Sequence, residues 1–246
     1  MSTSWIYLSP HFDDVALSCG GLVWEQTQLG EPVSVWTFCA GDPPEGPLSL
    51  IAESLHERWQ TGREAPAHRR EEDLVSCKAM GASTRHFTVP DCIYRRSEGG
   101  NLPLYASDEA IMGPLHPLEA LLVDRVRDEL AGWLRQGAEV VCPLAIRGHV
   151  DHRLVRLAAE KLDRALWYYA DYPYVLDQAE DLNVLDETGW KTHVFPISAS
   201  GLAAWQEAVA AYASQISTFW SDLETMRAAI SSYCKESGGV RLWRAP

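Results

Sequence analysis

The 246-residue sequence is short of basic residues: 21 Lys and Arg stand against 34 Asp and Glu, a formal charge of -13. A field of that sign repels nucleic acid and anionic lipid surfaces, so neither is expected as a partner. No cysteine pair has CxxC spacing. The six cysteines, at 19, 39, 77, 92, 142 and 234, are scattered, several inside apolar runs where a thiol packs as a small hydrophobe, and they are expected to be reduced. No stretch approaches the roughly 18 apolar residues needed to span a bilayer, and the N-terminus, MSTSWIYLSP, has no basic segment leading into a long apolar one. A soluble cytoplasmic protein is expected. The G-x-G-x-x-G fingerprint is also missing, which counts against reading Gly20-Gly21 as part of a dinucleotide site. Internal repeats, low-complexity tracts and linker-like segments are absent too.

What remains has ordinary globular composition, 46% hydrophobic and 22% charged, at a length that suits one α/β domain over residues 1–246. Apolar, β-branched or aromatic runs predict strands at 5–8, 33–39, 85–89, 138–142 and 166–170, a late strand at 191–196 and a short edge strand at 240–243. Between them, helical periodicity predicts helices over 22–29, 68–80, 118–136, 201–215 and 223–233, with Gly20-Gly21 allowing a close turn before the first. The alternation predicts a Rossmann-like three-layer sandwich with a mostly parallel sheet. Residues 40–67, with a short helix near 50–60, and residues 90–117 are too long for ordinary connections and are expected to shape a binding site.

Two polar clusters interrupt this pattern. His11, Asp13 and Asp14 follow the first strand; His149, Asp151 and His152 follow the fourth and open a helix. In open α/β sheets the binding crevice lies outside the carboxyl ends of the strands, so the clusters are expected to meet there. A catalytic zinc takes about three protein ligands from His, Asp and Glu. Six candidates exceed that need, leaving groups to act as base and as oxyanion stabiliser. Which of the adjacent carboxylates does which is not set by their spacing.

The stretch SPHFDDVALSCGG resembles the PHxDD(x)nGG signature of the PIG-L/LmbE-like zinc deacetylases, and GHVDH resembles their downstream HxDH element. The resemblance implies removal of an acetyl group from an N-acetylglucosaminyl conjugate, a small-molecule glycoconjugate. It implies that His11, Asp14 and His152 hold zinc or another divalent transition metal, and that Asp13 is the general base. His149 becomes the acid or oxyanion stabiliser, with Asp151 accepting a hydrogen bond from it that fixes its tautomer and favours its protonated form. Arg69 matches the family's substrate-contacting arginine. Phe12 stands where a proline is common, and is expected to add an apolar wall; Val15 stands where an acidic residue often completes HPDDE. Family members often associate, but no homo-oligomer interface is readable here.

Among the aromatic residues, Trp59 and Tyr94, in the long insertions, are the better candidates to stack on a sugar, while Trp205, Trp220 and Trp243 are assigned to the core of the C-terminal segment. Arg147 is open between aiding an oxyanion and pairing at the surface. Two alternatives to deacetylation stand beside it: hydrolysis of another amide or ester on the same fold, and a catalytically silent binding protein.

Overall fold

The computed structural model of the chain describes residues 3–97, 99–100, 102–178, 182, 185 and 187–246. Among these, seven strands form one sheet in the order β3-β2-β1-β4-β5-β7-β6. They are β1 (Trp5–Ser9), β2 (Val33–Thr37), β3 (Ser83–His86), β4 (Glu139–Pro143), β5 (Trp167–Tyr169), β6 (Lys191–Phe195) and β7 (Val240–Arg244). The first five run parallel, and β7 pairs antiparallel with both β5 and β6. All five residues of β1 are buried, as expected of a parallel strand covered on both faces.

The helices that matter most for the site are α1 (Asp14–Gln28), α2 (Leu50–Arg58), α3 (Ala65–Ala79), α4 (Asp108–Ile111), α5 (Ala120–Trp133) and α6 (Val150–Glu160). The chain steps from β1 to β2 to β3 in one direction and from β4 to β5 in the other. Right-handed crossovers therefore put α1 and α3 on one face and α6 on the other. α1 and α3 both pack against a helix over Ala199–Ala210, and α5 packs against α6, giving helix–sheet–helix layers. β1 and β4 are neighbours that lead away in opposite directions, so the crevice beyond them is the topological switch point of the sheet.

Four expected elements differ. α1 begins at Asp14 rather than 22, and Gly20-Gly21 lie inside it instead of forming a turn. The indole of Trp205 occupies their face: a Cβ on Gly20 would sit 2.6 Å from the indole Cδ1. The third strand begins at Ser83, where Ser34 pairs it to β2. The strand near 240 is not at the edge, because β6 pairs outside it. The helix expected over 201–215 is two helices, Ala199–Ala210 and Ala213–Phe219, broken as Tyr212 turns inward.

The main hydrophobic core lies about the sheet. A second cluster gathers Ala52 from α2, Cys92, Ile93, Tyr94, Tyr105 and Ile111 from the 90–117 insertion, and Val150 at the start of α6. Both long insertions therefore fold onto the end of the sheet where the two polar clusters lie. No described helix is long and apolar enough to cross a membrane.

Candidate active site

The turn that carries the first cluster is tied down at each residue. Ser9 Oγ donates to the His11 carbonyl and accepts from the Val15 amide; the His11 amide donates to Asp14 Oδ2 at 2.7 Å; the Phe12 carbonyl accepts from Tyr212 Oη at 2.6 Å. Phe12 is buried, with its ring edge-on to His86 at 5.4 Å and under the Arg69 guanidinium, so it packs behind Arg69 and does not itself line the site cavity. The second loop leaves β4 through left-handed residues, Ala145 (φ 57°), Arg147 (φ 68°) and Gly148 (φ 78°). That reversal makes His149 the N-cap of α6, its Nδ1 accepting the Asp151 amide at 3.2 Å. A side-chain acceptor at this position satisfies one of the helix's free amides.

The two clusters meet. Asp14 lies between two histidines, Oδ2 at 3.4 Å from His11 Nδ1 and Oδ1 at 3.4 Å from His152 Nε2. Donors about 2.0–2.1 Å from a tetrahedral zinc are themselves roughly 3.3 Å apart, so this spacing fits such an ion. Each histidine's other ring nitrogen faces a carboxylate: His11 Nε2 lies 3.0 Å from Asp151 Oδ2, and His152 Nδ1 lies 2.5 Å from Asp171 Oδ1. A ligating histidine held from behind by a carboxylate is the usual arrangement at protein metal centres. One ring nitrogen each of His11, His149 and His152 also lie within 4.8 Å of one another, a second grouping, without Asp14, that could hold a metal.

Asp13 and Asp14 have different surroundings. Asp13 Oδ1 accepts from Arg69 Nη2 at 2.9 Å, and the Arg69 guanidinium is stacked between the rings of Phe12 and Trp59, 5.3 and 5.2 Å from their centroids. Burial raises the Asp13 pKa above the ordinary carboxylate value against the pull of Arg69. Burial also opposes the charge on Asp14, but His152 and His11 outweigh it and hold Asp14 well below that value. For His11 burial opposes the charge, and Asp91, Asp14 and Asp151 overcome it, so its pKa lies well above the ordinary imidazole value. His149 goes the other way: burial, reinforced by His11, pushes its pKa well down.

The role expected for Asp151 is corrected in two respects. Among the described residues its carboxylate takes no hydrogen bond from His149; Oδ2 accepts from His11 and the Cys92 amide, and Oδ1 from Arg95. And although the Asp151 charge does favour the protonated form of His149, burial and His11 outweigh it. The N-cap geometry turns Nδ1 of His149 onto the backbone, leaving the Asp151 side chain to point toward the 90–117 insertion.

The remaining candidates divide. Arg69 is only 6% exposed and stands on the site rather than on a solvated helix face. Trp59 lines the site cavity, of about 170 Å3, together with His11, Asp13, Asp14, His149 and Arg69. Tyr94 is buried, its hydroxyl 2.5 Å from His56 Nε2, so it is packing for the insertion and not a stacking platform for this cavity. Arg147 is exposed and lies over the Tyr174 ring at 5.3 Å. Trp205 and Trp243 are fully buried, whereas Trp220 is partly exposed.

Asp91, Asp171 and Arg95 face His11, His152 and Asp151 respectively, though no motif announced them. Asp171 lies two residues past the end of β5, as His11 lies two past the end of β1, and that position was a readable signal. Asp91 follows Pro90, which bridges to Gly41 and so extends the pairing of β2 and β3 toward the cavity. A Cβ on Gly41 would come within 2.3 Å of the Thr88 carbonyl oxygen, so only glycine fits that approach.

This sheet, with two His/Asp clusters meeting at its switch point, is that of the PIG-L family, described as GlcNAc-PI de-N-acetylase, and the chain belongs to it through a match over residues 6–162. Among characterised proteins it is 29% identical over 205 residues to a 2'-N-acetylparomamine deacetylase of Niallia circulans, covering 76% of this chain and 72% of that one. It is 31% identical over 181 residues to a 2'-N-acetylparomamine deacetylase of Streptomyces fradiae, covering 69% of this chain and 57% of the relative. In fold it is similar to the zinc inhibited form of teicoplanin deacetylase Orf2, with a TM-score of 0.77, 24% identity, and coverage of 98% of this chain and 97% of that one.

Proposed function

We propose that the chain is a metal-dependent amide hydrolase that removes the acetyl group from an N-acetylglucosaminyl-type amino sugar. The observation that carries this reading is the Asp14 carboxylate set at 3.4 Å from one nitrogen of His11 and one of His152, each ring backed by a buried carboxylate. His11, Asp14 and His152 would hold the ion, zinc or another divalent transition metal. Asp14 is placed in the set because its two oxygens face His11 and His152, each at 3.4 Å, while Nδ1 of His149 is taken by the Asp151 amide. When bound, such an ion supplies a Lewis acid for the amide carbonyl and for the attacking water.

The chain's own groups do the rest. Asp13, fixed by Arg69 at one oxygen and raised in pKa by burial, takes the proton from the attacking water and returns it to the departing amine. His149 accepts the Asp151 amide at Nδ1; neutral, as its lowered pKa favours, it carries its proton on Nε2 and donates it as a hydrogen bond to the tetrahedral oxyanion. Arg69 and Trp59 flank the cavity and are the proposed contacts for the sugar.

The names of both characterised relatives, and the family's description, support an N-acetyl amino sugar as substrate. The test is acetate release from N-acetylglucosamine, N,N'-diacetylchitobiose and 2'-N-acetylparomamine, before and after chelation. Stoichiometric acetate and free amine from at least one of these, lost with the metal and restored by zinc, is expected. Full activity in protein proven free of metal, or hydrolysis confined to esters, would overturn the reading.

A further inference from the structure

We infer that Arg95, from the 90–117 insertion, and Glu119, at the N-cap of α5, are positioning residues for His11, acting through Asp151. Asp151 is completely buried, and three groups converge on its carboxylate: His11 Nε2 and the Cys92 amide at Oδ2, each at 3.0 Å, and Arg95 Nη1 at Oδ1. Arg95 is itself buried, and its fork is completed by Glu119, with Nε on Oε1 and Nη2 on Oε2. Nη1 also donates to the Pro90 carbonyl at 3.2 Å. Glu119 is anchored in turn by the Tyr105 hydroxyl at 2.5 Å, and that hydroxyl accepts the His116 amide at 2.8 Å. A continuous buried chain thus runs Tyr105, Glu119, Arg95, Asp151, His11.

The direction of the last link gives the chain its purpose. With Nε2 of His11 held by Asp151, the ring presents Nδ1 to Asp14. Asp151 can hold that ring only where its own carboxylate is held, and a planar guanidinium bonded to two carboxylates fixes it in direction as well as in charge. A group bonded directly behind a metal ligand, as Asp151 is behind His11, is worth roughly 10–100-fold in metal affinity, and Arg95 and Glu119 act on that same contact by holding Asp151 in place. The support for Asp151, and through it for His11, therefore comes from residues 84 and 108 positions after His11, outside both motifs.

The inference rests on His11 being a metal ligand, and zinc dissociation constants of the metal-free protein, measured by chelator competition, separate the two. His11→Ala is expected to lose high-affinity zinc. Glu119→Gln and Arg95→Lys are expected to bind zinc tenfold or more weakly while keeping the wild-type KM in zinc-saturated enzyme, with turnover recovering at excess zinc. Arg95→Met strands two buried carboxylates and can fail to fold, so the two milder variants decide. If either of them, folded by circular dichroism, binds zinc as the wild type does while His11→Ala does not, the positioning role is wrong and the metal site stands. If His11→Ala also keeps wild-type affinity, the ligand reading fails and the inference with it.

Discussion

Tyr212 has one hydroxyl proton and two acceptors, the Phe12 carbonyl at 2.6 Å and Asp73 Oδ1 at 2.7 Å. Asp73, completely buried, also takes His86 Nε2 at 2.7 Å and the Thr84 hydroxyl at 3.0 Å. The hydroxyl therefore ties the turn between His11 and Asp13 to α3 and β3. Tyr212→Phe keeps the ring packing and leaves buried acceptors short of a donor, which costs about 1–3 kcal/mol. A denaturant titration is expected to show a loss in that range, accompanied by lower turnover because the turn that aims Asp13 is loosened; unchanged stability would show that the hydroxyl carries no such burden. At this scale the two clusters were legible from residue type and strand-end position, but the difference between Asp13 and Asp14 came only from the family resemblance and not from their spacing. It depends on a turn that sends one carboxylate to Arg69 and the other between two histidines. Asp151 was misread for the same reason: two residues from His149 in sequence, it answers to Arg95, which is 56 residues away.

The element that the sequence pattern divided wrongly is α1. Glycine pairs normally break helices, yet Gly20 and Gly21 sit in mid-helix because Trp205 lies against them and donates Nε1 to the Ala16 carbonyl at 2.7 Å. The partner is almost the whole chain away, so no local window contains the reason. Gly20→Ala opposes two effects: better helix propensity gains about 1 kcal/mol, while a Cβ at 2.6 Å from the indole Cδ1 forces repacking at about 1–3 kcal/mol. Because the indole is wedged between helices and hydrogen-bonded, we expect the clash to win, with a lower Tm and a perturbed near-ultraviolet signal from tryptophan; a stabilised variant would contradict the packing account. The strands were readable as apolar runs, but not the placement of β7 inside β6, since antiparallel pairing is fixed by partners that periodicity does not name. The break at Tyr212 was likewise hidden: its φ of -86° and ψ of 62° answer to the bonds it makes beneath the active-site turn.

On the scale of the whole molecule, strand order joins the two clusters. β1 and β4 are 134 residues apart at Trp5 and Glu139 yet pair directly, so the loops that follow them share one crevice. That much followed from the alternation of strands and helices together with the rule for open sheets. That the insertions would shape the crevice was also expected, but which single residues there matter was not, because half-buried Asp91 and buried Arg95 and Glu119 sit in or beside short 3-10 turns that no periodicity marks. In the proposed reaction this crevice divides its labour, with His11, Asp14 and His152 gripping the ion and Asp13 handling the proton. The most direct test is zinc content and turnover measured side by side in Asp13→Asn and Asp14→Asn, both reconstituted with zinc. Asp13→Asn is expected to retain about one equivalent of zinc and to lose turnover by at least the 10²-fold typical of general-base removal, while Asp14→Asn loses the zinc itself. Zinc lost equally from both, or retained by Asp14→Asn, would contradict the division.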